Sequence, residues 1–207
     1  MDEEVPNGPQ IACGFGKLAD LLKASAALHH HLCPRQVLGV RLGLFGGGLL
    51  NLDVPQQGKR LLVIAETDGC AADGIAVATG CWVGRRTLRI EDLGKVAATF
   101  VDCATGRAVR VAPRRDIRQL AKDFAFEAQG RWQEQLFGYQ RMPDALLLTW
   151  STVRLVTPVE AIISHPGRRA ICAQCHEEVM NDRQVVVDGT VLCRTCAGQR
   201  YYWPADS

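Results

Sequence analysis

Residues 28–43 read LHHHLCPRQVLGVRLG, which places three of the five histidines and one of the nine cysteines in five consecutive positions directly ahead of a proline. Proline is pre-set for the first turn of a helix, so Pro34 opens one and Cys33 falls near its N-cap. Unpaired backbone N–H groups and the positive end of the macrodipole favour a thiolate there, and the thiolate is the form that binds metal or attacks. His31, two residues earlier, brings an imidazole beside it. Read blandly, the same stretch is a solvated histidine run next to a small buried cysteine.

On the upstream side, residues 16–29 form an amphipathic pattern, with Leu18, Leu21, Leu22 and Leu28 on one side and Lys17, Asp20 and Lys23 away from it. This helix delivers the histidines at its end. Downstream, Val37, Leu38, Arg41, Leu42 and Phe45 recur at helical spacing until Gly46-Gly47-Gly48, which is expected to break the second helix. Residues 60–67 (RLLVIAET) predict a buried strand bounded by Gly58 and Asp68-Gly69, after which Cys70 opens an Ala-rich helix that Gly80 ends. A second thiol therefore also sits at the start of a helix. Residues 95–103 and 107–112 predict a hairpin, 116–137 one long helix with Asp116 as N-cap and Gly138 as stop, 143–149 a short helix, and 151–156 a further strand. Irregular alternation with an antiparallel hairpin predicts an α+β core of mixed helices and antiparallel sheet, not a doubly wound parallel sheet.

Composition bounds the rest. The chain has 207 residues, 47% of them apolar and 22% charged, with a net charge of +2. That suffices for one core domain plus an appendage and leaves no large electrostatic argument for nucleic acid, although 19 of the 24 basic residues are Arg. No apolar run approaches the roughly 18 residues of a membrane span, and the acidic start lacks an export pattern, so the expected location is cytoplasmic. In a reducing compartment nine cysteines point to ligands or reactive thiols before disulfides.

The composition changes at His165-Pro-Gly-Arg-Arg169, dividing an expected core domain, residues 11–164, from a small unit, residues 165–200. There Cys172-x2-Cys175 is followed after seventeen residues by Cys193-x2-Cys196, the spacing of a structural zinc site, with Asp188-Gly189 as the turn that folds the two knuckles together. About 30 residues cannot bury enough apolar surface to fold alone, so zinc is expected to supply folding free energy. The unit carries no basic stripe with interleaved aromatics, so nucleic acid is not the favoured partner.

In the core, His31, Cys33 and Cys70 are a candidate three-ligand set with an open position. Glu66 and Asp73 flank Cys70 closely enough for a general base or an outer partner, although acids at turns also serve as caps. Cys33 is the candidate thiolate nucleophile and Glu66 the candidate base. Cys13, Cys81 and Cys103 read as small structural residues, the four tryptophans as packing, and Arg107, Arg110, Arg114, Arg115 and Arg118 as an anion-binding cluster or a solvated edge.

These blocks resemble the FmdE family of formylmethanofuran dehydrogenase subunits. The matching residues are His29, His31, Cys33 and Pro34; Leu38-Gly39, Arg41 and Gly43; Glu66, Cys70 and Asp73; and Gly80-Cys81, Gly84 and Gly94-Lys95. His30 and Arg35 stand where the family usually has Gly, Trp82 where it has Thr, and Arg85 where it has Lys. The resemblance implies an α+β core, a core metal or reactive-thiol site, and a homodimer with a ribbon that helps pair the chains. The expected function is that of a metal-binding accessory protein linked to one-carbon or molybdenum/tungsten redox metabolism. Its expected cofactors are a ribbon zinc and a second divalent ion, zinc by preference, in the core; its expected partner is a protein or an oxidoreductase complex. The chain shows no cysteine run for iron–sulfur clusters, so any redox centre would belong to other proteins of the complex. Two alternatives stand beside this: a zinc-ribbon regulatory or metal-sensing protein, and a small-molecule enzyme using the core metal or the Cys33 thiolate.

Overall fold

The computed structural model describes residues 15–163, 165–203 and 205 and divides the chain into two compact units, Met1–Ala161 and Ile162–Ser207. Cys13 lies outside the described residues.

The first unit is organised around the helix that Pro34 opens. Helix α1 (Phe15–His29) leads into α2 (Pro34–Leu49), and all but two of the 16 residues of α2 are buried. A helix apolar on every side must be enclosed, and α2 packs against α1, against α3 (Cys70–Thr79), against α5 (Arg131–Arg141) and against one face of the sheet. The three glycines do not break it. A Cβ on Gly46 would lie 2.4 Å from the Phe100 ring and one on Gly47 2.8 Å from Val54, so these glycines let the helix approach its neighbours and it runs on to Leu49. Gly39, Gly43 and Gly74 do the same between α2 and α3, where added methyls would meet Ala71 O at 2.2 Å, Ala78 Cβ at 2.7 Å and Gln36 O at 2.4 Å. Contacts of residue 39 with 71 and of residue 43 with 78 run the two helices in the same direction, so their N-terminal ends lie together.

The sheet has the order β2-β1-β3-β4-β5, built from β1 (Leu61–Ala65), β2 (Leu88–Ile90), β3 (Ala98–Asp102), β4 (Ala108–Pro113) and β5 (Leu148–Val153). Only β1 and β2 are parallel; the other three pairings are antiparallel, with Phe100 opposite both Val63 and Val109. The expected α+β class therefore holds, and β2 is an addition the sequence pattern did not disclose. The expected long helix over residues 116–137 is a correction. The chain instead forms α4 (Ile117–Leu120), a 3-10 turn (Ala121–Phe124) and, after a break, α5. Gly138 does not stop α5, because it is where α5 meets the 3-10 turn, a Cβ there lying 2.4 Å from Ala121 O. Asp116 makes no side-chain cap; its carboxylate pairs with Arg114 at 3.3 Å. The short helix α6 (Asp144–Leu147) precedes β5.

Arg41, buried in α2, explains how α5 ends. Its guanidinium donates to the carbonyls of Tyr139 and Met142, each at 2.7 Å, to that of Gln140 at 3.3 Å, and to Asp144 Oδ1 at 2.7 Å. These are carbonyls at the C-terminal end of α5, which no further helical turn satisfies.

The second unit consists of two hairpins, β6 (Arg169–Ile171) with β7 (Glu178–Met180) and β8 (Val185–Val187) with β9 (Thr190–Leu192). Asp188 and Gly189 form the turn of the latter at φ +48° and +76°, the left-handed pair a two-residue hairpin loop requires.

Candidate metal centres

In the second unit the Sγ atoms of Cys172, Cys175, Cys193 and Cys196 lie within 4.8 Å of one another, with Cys175 and Cys193 3.9 Å apart. Four sulfurs about a tetrahedral zinc with bonds near 2.3 Å are separated by about 3.8 Å. Each knuckle closes with the same backbone bond, His176 N–H to Cys172 O and Ala197 N–H to Cys193 O, both 3.0 Å, and Ala173 N–H to Val191 O at 2.9 Å ties the two halves together. Backbone N–H groups of Cys175 and Cys193 hold the Cys172 thiol down at about 6, while Cys193 and burial push Cys196 up to about 12. So many sulfurs cannot all carry charge unaided; a divalent cation at their centre removes the conflict. All four predicted ribbon ligands are thus brought together, and His176 is not needed.

The core candidates come from three elements. Cys33 is the N-cap of α2, where its backbone N–H donates to Gln36 Oε1 at 2.8 Å. The Gln36 amide in turn donates to Ser25 O at 3.0 Å and Ser25 Oγ at 3.1 Å, and both residues are fully buried, so the corner between α1 and α2 is pinned from inside. Cys70 is the first residue of α3. Its thiol interacts with that of Cys33; burial and then this neighbour push it above the ordinary thiol value, against the pull of Arg35. His29, the last residue of α1, reaches Cys70 Sγ with Nε2 at 3.4 Å and pairs with Asp73 Oδ2 through Nδ1 at 2.9 Å. His31 is exposed, its ring tilted 54° to that of His29 with centroids 4.8 Å apart.

Cys33 and Cys70 therefore meet, and the histidine touching Cys70 is His29, not the His31 of the candidate set. Two sulfurs and an imidazole are a donor set that suits zinc. The core set is more open than the ribbon: among the described residues, the four ribbon cysteines alone form a group of three or more candidate ligands with every donor atom within 4.8 Å of the others.

Glu66 is held across the sheet by Arg110, Nε at 2.5 Å and Nη2 at 2.7 Å. The remaining arginines of that cluster with described partners are similarly occupied: Arg114 by Asp116, Arg107 by the Leu49 carbonyl at 3.4 Å, and Arg118 by the Tyr139 side chain. Cys81 is buried with its thiol donating to Leu61 O at 3.4 Å, in keeping with a structural residue. Of the tryptophans, Trp150 packs against the core, whereas Trp132 and Trp203 are exposed, Arg200 lying 5.0 Å over the Trp203 ring. Arg85, in the place of the family's Lys, donates to the carbonyls of Gly80, Gln56, Gln57 and Gly58 and so clasps the loop below α3.

Comparison with known proteins agrees with this architecture. The family described as "FmdE, Molybdenum formylmethanofuran dehydrogenase operon" matches residues 28–149, and the prokaryotic dksA/traR C4-type zinc finger matches residues 167–202. A "Probable S-adenosyl-L-methionine-binding protein" of Archaeoglobus fulgidus is 32% identical over 203 residues, covering 89% of this chain; the chain spans about half the length of that curated relative, 54% of it. The crystal structure of a "tungsten formylmethanofuran dehydrogenase subunit e (fmde)-like protein" from Syntrophus aciditrophicus shares the fold, with a TM-score of 0.57 and 22% identity over 94% of this chain and 97% of that one. No described helix is long and apolar enough to cross a membrane. The family match covers more than half of the chain, and with the fold and the four-cysteine cluster it identifies this protein as a member of the FmdE family that carries a C-terminal C4 zinc finger.

Proposed function

We propose that this chain is an accessory protein of one-carbon or molybdenum/tungsten redox metabolism that carries, besides the zinc of its ribbon, a second divalent ion on Cys33, Cys70 and an imidazole at the start of α2 and α3. The observation that carries the reading is the meeting of the two thiols with an imidazole 3.4 Å from one of them, at the N-terminal ends of α2 and α3. Three protein donors leave a coordination position open, which is what an ion that meets a substrate or a partner's group requires. When bound, the ion would supply Lewis acidity; the chain's own residues hold and orient it. The protein works in the cytoplasm as a homodimer, alongside an oxidoreductase that holds the redox centres. Metal content per chain of the purified full-length protein tests this. Two ions in the wild type, one lost in Cys33→Ala and the other in Cys172→Ala, are expected; a single ion lost with Cys172→Ala alone would refute the core site.

The Archaeoglobus relative favours a second reading, in which the chain binds S-adenosyl-L-methionine. Equilibrium dialysis against the labelled compound, with and without added zinc, decides it: saturable binding supports it and none at millimolar ligand rejects it.

A further inference from the structure

The sequence pointed to His31 as the core imidazole, but the geometry favours its neighbour. We infer that His29 supplies the nitrogen of the core ligand set through Nε2, beside the sulfurs of Cys33 and Cys70, and that Asp73 is the positioning residue that fixes it there. This inference rests on the core-metal reading proposed above.

Three observations lead to it. First, Nδ1 of His29 and Oδ2 of Asp73 are 2.9 Å apart. A carboxylate accepts hydrogen bonds, so in the neutral imidazole it holds the proton on Nδ1 and leaves the lone pair on Nε2. That nitrogen is the one directed at Cys70, 3.4 Å away. A carboxylate behind a histidine is the arrangement that orients a metal-ligating imidazole and raises its basicity. Second, Asp73 follows Cys70 by three residues in α3, so carboxylate and thiol project from one face and His29 bridges them from α1. Third, the backbone separates the two histidines. His29 ends α1 with its side chain 28% exposed, whereas His30 adopts φ +62° and His31, beyond it, is exposed. The contacts to Asp73 and to Cys70 are both made by His29.

The test is zinc content and Co²⁺ titration of the full-length protein and its His29→Ala, His31→Ala, Asp73→Asn and Asp73→Glu variants, followed by the thiolate-to-cobalt absorption band. Retention of the ribbon zinc and of the far-ultraviolet circular dichroism verifies folding. His29→Ala is expected to lose the core ion and keep the ribbon zinc, and His31→Ala to keep both. Asp73→Asn is expected to weaken the core ion by about 10–100-fold and shift its band, with Asp73→Glu recovering part of the loss. Loss of the core ion in His31→Ala with retention in His29→Ala would overturn the assignment while leaving a core metal in place. Unchanged core affinity in Asp73→Asn would overturn the role of Asp73, and a wild type with ribbon zinc alone would overturn the underlying reading as well.

Discussion

Replacing Gly39 by alanine tests the claim that the site depends on how closely α2 and α3 approach. The added Cβ would lie 2.2 Å from Ala71 O and 3.0 Å from Ala71 C and Cα, all backbone atoms that cannot rotate away. Ordinary contact begins at 3.4 Å, so the helices must part by about 1 Å or tilt. Overpacking of this kind costs about 1–3 kcal/mol, and more where backbone meets backbone, while the better helix propensity of alanine returns about 1 kcal/mol. A net loss of about 1–3 kcal/mol is expected, read as a lower midpoint in urea with an unchanged slope. Because Gly39 lies within two turns of Cys33 and Ala71 adjoins Cys70, the same shift separates the two thiols, and the cross-linking yield of a short dithiol-reactive reagent should fall with stability. Gly16→Ala, with nothing within 4 Å of its Cβ, is the control and should be neutral or slightly stabilising. If Gly39→Ala were to stabilise the protein like an exposed helical glycine replacement, the two helices would not be packed as closely as the contact distances require.

Other expectations follow from the same structure. Arg41→Ala leaves carbonyls at the end of α5 and Asp144 without their donor and should cost about 3 kcal/mol in urea unfolding, with Arg41→Lys recovering little because a point charge cannot span the set. His30→Gly relieves a left-handed conformation worth roughly 1–2 kcal/mol but loosens the unfolded chain, so a gain of about 0.5–1 kcal/mol with unchanged metal content is expected. Arg60 holds the Asp102 carboxyl down at about 2 against an ordinary value of 3.8. Since the folded value is the lower one, that pair stabilises the protein above about pH 4 and its contribution fades as pH falls towards 2; Asp102→Asn should flatten this part of the stability–pH curve. Stripping zinc from the full chain with a chelator and a thiol reagent should abolish amide protection in β6–β9 and leave β1, β3 and β4 protected in hydrogen exchange, since the ribbon lacks a core of its own.

The sequence alone determined what short-range chemistry controls. Helices α1 and α3, the β3–β4 hairpin and the ribbon could all be read from residues close together in the chain: leucines at helical spacing, Gly80 at a left-handed stop, Ala104-Thr105-Gly106 at a turn, and two matched cysteine knuckles around Asp188-Gly189. The pairing of Cys33 with Cys70 could be expected from family blocks but not from spacing, because a helix, a strand and their loops intervene. Tertiary structure decided the rest. Gly46-Gly47-Gly48 looks like a helix stop until Phe100 and Val54 arrive from elsewhere to fill the space, and Gly138 looks like another until the 3-10 turn packs on it. Arg41 stands among the apolar residues of its helix with no partner in view until α5 ends beside it. The choice between His29 and His31 turns on a carboxylate 44 residues away and on one left-handed residue between them. Two residues apart at the end of a helix, the two imidazoles are equivalent by composition; what distinguishes them is which one the packing of α1 against α3 brings to Asp73.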